Sequence, residues 1–400
     1  MKKNEIFLLL ALAMVQFTHI LDSMIMMPMA PTIRSAFSIS TQQFGFLVSS
    51  YGLSAFVSAI SATFWLDRFD RKNALIFLYV GFLVGTLSCA FSPNYEIFLL
   101  TRIFTGFFGG VAGAVILSIV GDVIPVERRA HAMGILMSGF ALASVLGVPL
   151  GIFLCEYYSW HTPFIFIALF GLIVLVTIFF VLPNVNAHLH LNKGEKSFQL
   201  YRSVFSSSNM RTALLLSMCV VFAHFSIIPY ISDYFVNNLK YSMRDEIVYM
   251  YVIGGLLSTI FSPLIGKIAD KNGRYKIFFY LSLFSIFPVL MISNFTSSSL
   301  FFLLFTTSLF FIFSGGRMIP TQAMITSAVE PSIRGGFMSL NSAAQQLSIG
   351  FCSLLGGLII KNDEMKQLQN YHIVGLIGVG FTLLAIFVGY KVKPVNSSSK

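Results

Sequence analysis

The feature that most limits this chain is a succession of long apolar stretches, each of about 20 residues, joined by short polar connections. A stretch of that length crosses the hydrocarbon core of a bilayer as a helix. In lipid, a helix is one of only two ways to bond every backbone N–H and C=O. Twelve such spans are read, near 6–30, 43–66, 73–92, 97–121, 131–155, 162–182, 211–236, 247–268, 276–293, 299–323, 334–360 and 370–391. A polar stretch over 183–210 separates the sixth from the seventh. Only 10% of the 400 residues are charged, against about 25% in soluble domains, so most of the surface must face lipid. The expectation is an all-α membrane protein with twelve transmembrane helices and no separate soluble domain.

Charge sets the orientation. With both termini in the cytoplasm, nineteen of the 26 Lys and Arg residues fall on that side and five, Arg34, Lys240, Arg244, Lys361 and Lys366, on the other. Arg102 and Arg317 remain inside spans. This is the positive-inside bias of a multi-pass inner-membrane protein. The formal charge of +10 is scattered in short clusters between apolar runs, a pattern of topology and not of nucleic-acid binding. Lys2 and Lys3 before an apolar run mimic a secretory leader, but the run continues to about Met29 and reads as a retained first helix. The four cysteines sit singly in apolar runs, with neither metal-site nor disulfide spacing.

The chain also repeats itself. Asp67 and Arg71 after span 2 align with Asp270 and Arg274 after span 8 at an offset of 203. Pro125 to Arg128 after span 4 aligns with Pro331 to Arg334 after span 10 at 206, and Phe17-Thr18-His19 aligns with Phe222-Ala223-His224 at 205. Three matches at nearly one offset imply two halves of like topology, 1–182 and 211–400, joined by a cytoplasmic loop over 183–210. Such a duplication places a solute site near the bilayer midplane.

These residues carry a resemblance to the major facilitator superfamily over essentially the whole chain. Gly266, Ala269, Asp270, Gly273 and Arg274 fit that family's loop signature. The first copy keeps Asp67 and Arg71 but has Thr63, Leu66 and Asp70 where Gly, Ala and Gly are usual. Arg102 with Gly106, Gly109, Gly110 and Gly113 resembles the span-4 motif of proton-coupled members. Gly147-Val148-Pro149-Leu150-Gly151 and then Trp160-His161-Thr162-Pro163-Phe164 resemble the span-5 signature and following turn of twelve-span drug, sugar and nucleoside exporters, with His161 in place of Arg. The resemblance implies two pseudo-symmetric six-helix bundles, and spans 1, 4, 7 and 10 around a central cavity. It further implies a cytoplasmic gate built on Asp67, Arg71, Asp122, Asp270, Gly273 and Arg274, with Asp70 altering the geometry of the first copy.

Ionisable residues inside spans are costly unless they line water or find partners. Asp22 and His19 share a face of span 1, and Arg102 lies at comparable depth on span 4. A carboxyl out of water holds a proton, and contact with a guanidinium releases it. A changing Asp22–Arg102 contact would therefore couple proton entry to solute exit; the plain alternative is a permanent ion pair tying two helices. His19 and His224 are relay candidates or packed core residues. Arg317 has no partner in the repeat, and its fork suits a carboxylate or phosphate; the plain alternative is pairing with an acidic side chain or with a broken helix end near Pro320. Asp233, Asn341 and Gln345 complete the substrate-binding candidates, although Asp233 reads first as an interface residue near the outer end of span 7, and Asn341, Gln345 and Gln346 first as helix packing. Gly147 and Gly151 allow close helix approach, and Pro149 can kink span 5.

The sequence thus points to a proton-coupled exporter of small organic molecules, monomeric, powered by the proton gradient without a cofactor. An importer or facilitator of a sugar, nucleoside or organic anion is the nearest alternative, and a non-transporting sensor or receptor a remoter one. An enzyme is not expected, because no nucleophile–base set or metal-ligand spacing lies at membrane depth.

Overall fold

The computed structural model describes residues 3–125, 128–185, 202–204, 206–296, 299–330 and 333–395. The central loop expected over 183–210 therefore lies largely outside the described residues, and the repeat segments at 125–128 and 331–334 lie partly outside them. In chain order the helices are α1 (Lys3–Ile25), α2 (Ala30–Phe37), α3 (Thr41–Trp65), α4 (Arg71–Ala90), α5 (Tyr95–Val123), α6 (Arg129–Leu142), α7 (Val148–Tyr157) and α8 (Thr162–Val181). They continue as α9 (Ser208–Phe225), α10 (Ile228–Leu239), α11 (Val248–Asn272), α12 (Arg274–Ser293), α13 (Leu300–Phe310), α14 (Met318–Ser327), α15 (Arg334–Ile359) and α16 (Tyr371–Lys391). A two-stranded antiparallel hairpin, β1 (Lys361–Asn362) and β2 (Leu368–Gln369), joins the last two helices.

Among the described residues, eleven helical segments are long and apolar enough to cross a membrane. The twelfth expected span, near 131–155, is helical throughout but interrupted. α6 passes through a π turn at Ala143–Gly147 into α7. Pro149 has no N–H to give the Val145 carbonyl, and the wider turn sits just ahead of it. Span 1 stops earlier than the apolar run suggests. Pro28 interrupts the ladder after α1, and Pro31 opens the separate helix α2, where its missing N–H costs nothing. Large apolar side chains such as Phe77, Phe180, Phe301 and Leu383 stand exposed, as lipid permits and water does not.

Close backbone contacts gather the chain into two units. One holds 1–26 and 50–201, the other 27–49 and 202–400. In the first unit α4 packs on α5 and α8, and α1 packs on α6 and α8. Small residues also let α5 approach α3, and the π turn approach α1. A Cβ at Gly110 would fall 2.5 Å from the Ala55 Cα, and one at Gly147 would fall 2.8 Å from Leu21. In the second unit α9 packs on α15 and α16, and α11 on α13. Leu216, Val220, Phe278, Met324 and Val388 form a core there.

The two copies of the repeated loop differ for a physical reason. Gly273 has φ +97°, which an L side chain rarely tolerates. Asp70, at the matching position, has φ −56° and caps α4, accepting from the N–H groups of Lys72 at 2.8 Å and Asn73 at 3.2 Å. The first copy has exchanged a glycine turn for an N-cap.

Candidate functional site

In the first unit the expected partners meet. Arg102 on α5 donates from Nη1 to Asp22 Oδ2 on α1 at 2.8 Å, with the two side chains 1% and 0% exposed. Thr86 on α4 donates to the other carboxylate oxygen at 3.2 Å. A charge pair this deep is tolerable only because both members are bonded. The Tyr51 ring on α3 lies 4.6 Å from the guanidinium carbon, a cation–π contact, and its hydroxyl is 3.4 Å from His19 Nδ1. The glycines of α5 bring α3 in. A Cβ at Gly109 would collide with the Tyr51 hydroxyl at 2.7 Å.

Tyr51 and Thr86 were not singled out by sequence, since one of fifteen tyrosines and one threonine in an apolar run carry no spacing signal. The glycine series after Arg102 was the available clue, as it marks the face where a neighbour comes close.

The second unit holds a different arrangement. Arg317, fully buried, donates from Nη1 to Ser285 Oγ at 3.1 Å and Thr382 Oγ1 at 2.9 Å, and from Nη2 to Ser314 Oγ at 3.3 Å. His224 Nδ1 lies 3.0 Å from the same Ser314 hydroxyl, and its ring stacks on Phe310 at 5.2 Å. Each histidine of the repeat thus bonds a hydroxyl in its own unit.

Asp233 is buried and paired with Arg34 of α2, and Asn237 donates to its second oxygen at 2.5 Å. Sequence placed Arg34 in a connection and gave it no part. Gln345 donates to Ser217 at 3.0 Å, a helix-to-helix bond. Asn341 is buried with its Oδ1 unbonded.

Of the expected gate residues, Arg71 Nε lies 3.5 Å from Asp122 Oδ2. Arg274 lies 3.5 Å from Asp270, both largely exposed, and also donates to the Ala323 carbonyl at 3.1 Å. The side chain of Asp67 lies outside the described residues. His161, standing where the resembled family has Arg, donates from Nδ1 to the Ala90 carbonyl at 2.5 Å, tying the turn before α8 to the end of α4.

The family model of the Major Facilitator Superfamily matches residues 12–284 and again 246–400. The inner membrane transport protein YdhP of Escherichia coli (strain K12) is 26% identical over 371 residues, covering 92% of each chain. The uncharacterized MFS-type transporter YceJ of Bacillus subtilis (strain 168) is 26% identical over 357 residues, 86% of each. Among solved structures, a bacterial homologue of the lysosomal transporter Spinster superposes with a TM-score of 0.79 at 15% identity, covering 98% of this chain and 97% of that one. The D-xylose–proton symporter gives 0.78 at 18%, covering 98% and 99%.

Proposed function

This chain belongs to the major facilitator superfamily, and from that premise we propose that it is a proton-coupled antiporter exporting small organic molecules by alternating access. The observation that carries the reading is the buried pair of Asp22 and Arg102. A membrane carboxylate bonded to one guanidinium and one hydroxyl has a charged state that depends on those contacts. Protonation of Asp22 releases Arg102, and departure of the proton restores the pair. A solute that competes for Arg102, or a conformation that separates α1 from α5, exchanges one for the other. His19, 3.4 Å from Tyr51, is the route by which a proton reaches the pair.

Export is supported by the span-5 signature around Pro149, whose Gly147 and Gly151 let α7 and its π turn approach Leu21 and Ile25 of α1, on either side of Asp22. The distribution of Lys and Arg supports an inner-membrane protein with both termini cytoplasmic, and the name of YdhP agrees with that membrane. Arg71 with Asp122, and Asp270 with Arg274, serve in this reading as the cytoplasmic gate. An importer is the second reading, favoured by the likeness to the D-xylose–proton symporter.

Inverted vesicles with an acid interior separate the two. An exporter accumulates solute from a panel of dyes, sugars and nucleosides as protons leave, and Asp22→Asn abolishes that accumulation. Proton-driven flux by Asp22→Asn equal to the parent's would remove the coupling assignment. Solute loss in place of uptake would make the chain an importer.

A further inference from the structure

Arg317 is a fixed cation at membrane depth that no carboxylate of the described residues pairs with. Three hydroxyls hold it, and hydroxyls supply hydrogen bonds but no counter-charge. Ser285 and Thr382 spend their own hydrogens on the carbonyls of Ser282 and Gly378, so they serve the guanidinium purely as acceptors. Both their bonds fall on Nη1, which clamps that corner. The opposite edge, Nε and Nη2, is left underused. Nε is buried with no partner, and Nη2 has only Ser314. That edge is the fork that meets the two oxygens of a carboxylate in parallel bonds.

The backbone fixes that cation in place. α13 runs through a π turn over Phe311–Gly315 into α14, with the Arg317 N–H bonded to the Phe313 carbonyl at 3.1 Å and the Thr321 N–H to the Arg317 carbonyl at 3.3 Å. Such π turns within helices are frequent at functional sites. His224 is itself buried and lies 3.0 Å from the same Ser314 hydroxyl, which places an imidazole beside the underused edge.

We infer that Arg317, clamped by Ser285 and Thr382 and flanked by Ser314 and His224, is a binding site for the carboxylate of a monoanionic organic ligand. The inference adds a ligand class to the transport reading. Its test needs no proton gradient, so either can fail without the other.

The test is calorimetric titration of the full chain in detergent micelles with sodium benzoate and with benzamide, its uncharged counterpart of the same shape. Benzoate binds about tenfold or more tightly than benzamide, the weight of a charge-assisted hydrogen bond. Arg317→Lys keeps the charge but loses the fork, and weakens benzoate by about tenfold. Arg317→Gln abolishes the preference; should it fail to fold, the Lys variant and the paired probes decide alone. Thr382→Val loosens the clamp and gives a smaller loss of several-fold, about one hydrogen bond's worth. Equal affinity for the two probes, absence of binding by benzoate, or full affinity in Arg317→Lys overturns the inference. So does displacement of benzoate by sodium chloride at equal concentration, which would make this a plain halide site.

Discussion

Arg34 and Asp233, 199 positions apart in sequence, form an ion pair with 7% and 0% of their side chains exposed. α2 exists as a separate helix because Pro28 and Pro31 bracket its start, and that short helix lays Arg34 against α10 within the second unit. Breaking the pair from one side strands a buried charge. Arg34→Ala is expected to lower stability by about 3–5 kcal/mol, read as a lower melting temperature in detergent. Replacing both members with apolar residues, Arg34→Met with Asp233→Leu, recovers most of the loss. A double variant no more stable than Arg34→Ala would mean the pair does more than neutralise itself.

The two repeat loops make opposite predictions for one kind of change. Gly273→Ala places a side chain at φ +97° in open space, so its cost is conformational, about 1–3 kcal/mol. Asp70→Ala loses a helix cap and costs about 0.5–2 kcal/mol, whereas Asp70→Gly, which restores the residue usual in the resembled family, costs a few tenths. Chemical denaturation of the three variants ranks them. Equal losses in Asp70→Gly and Asp70→Ala would sink the capping account.

Glycines in one protein divide into those that are packed against and those that are not. Gly110→Ala pushes a methyl to 2.5 Å from the Ala55 backbone, forcing α3 and α5 apart one turn along α3 from Tyr51, whose ring lies over Arg102. The expected loss is about 1–3 kcal/mol, together with most proton-driven flux. Gly380→Ala on α16 meets nothing within 4 Å and should be neutral or stabilising by up to about 1 kcal/mol. Melting curves and vesicle flux measured side by side check both.

What could be read ahead of the structure follows from how local each cause is. Span positions were legible to within a few residues because lipid demands about 20 apolar residues wherever a helix crosses. Asp22 and Arg102 stood out because charges there are rare. The π turns at 143–147 and 311–315 were not legible, since Pro149 and Pro320 announce a disturbance but not which turn absorbs it. The Arg34–Asp233 pair was missed because Arg34 looked like an ordinary loop cation, and only the fold brings α2 to α10. Tyr51 was missed because its role depends on helix rotation, which an all-round apolar helix does not encode.

Tyr51 offers the sharpest separation of structure from proton movement. Its ring supports Arg102 at 4.6 Å while its hydroxyl meets His19 at 3.4 Å, so the two functions can be removed separately. Tyr51→Phe keeps the ring and loses the hydroxyl, and stability should change by no more than about 1 kcal/mol. Tyr51→Leu also strips the desolvated cation–π contact, and a further loss of about 2 kcal/mol is expected. Flux tells the rest. If protons pass from His19 through the Tyr51 hydroxyl, then Tyr51→Phe and His19→Asn slow proton-driven transport alike, and the double variant is no slower than either, because residues acting in series are not additive. Independent, multiplying losses would show that His19 does not feed the pair through Tyr51, and would leave Asp22 to take its proton directly from water.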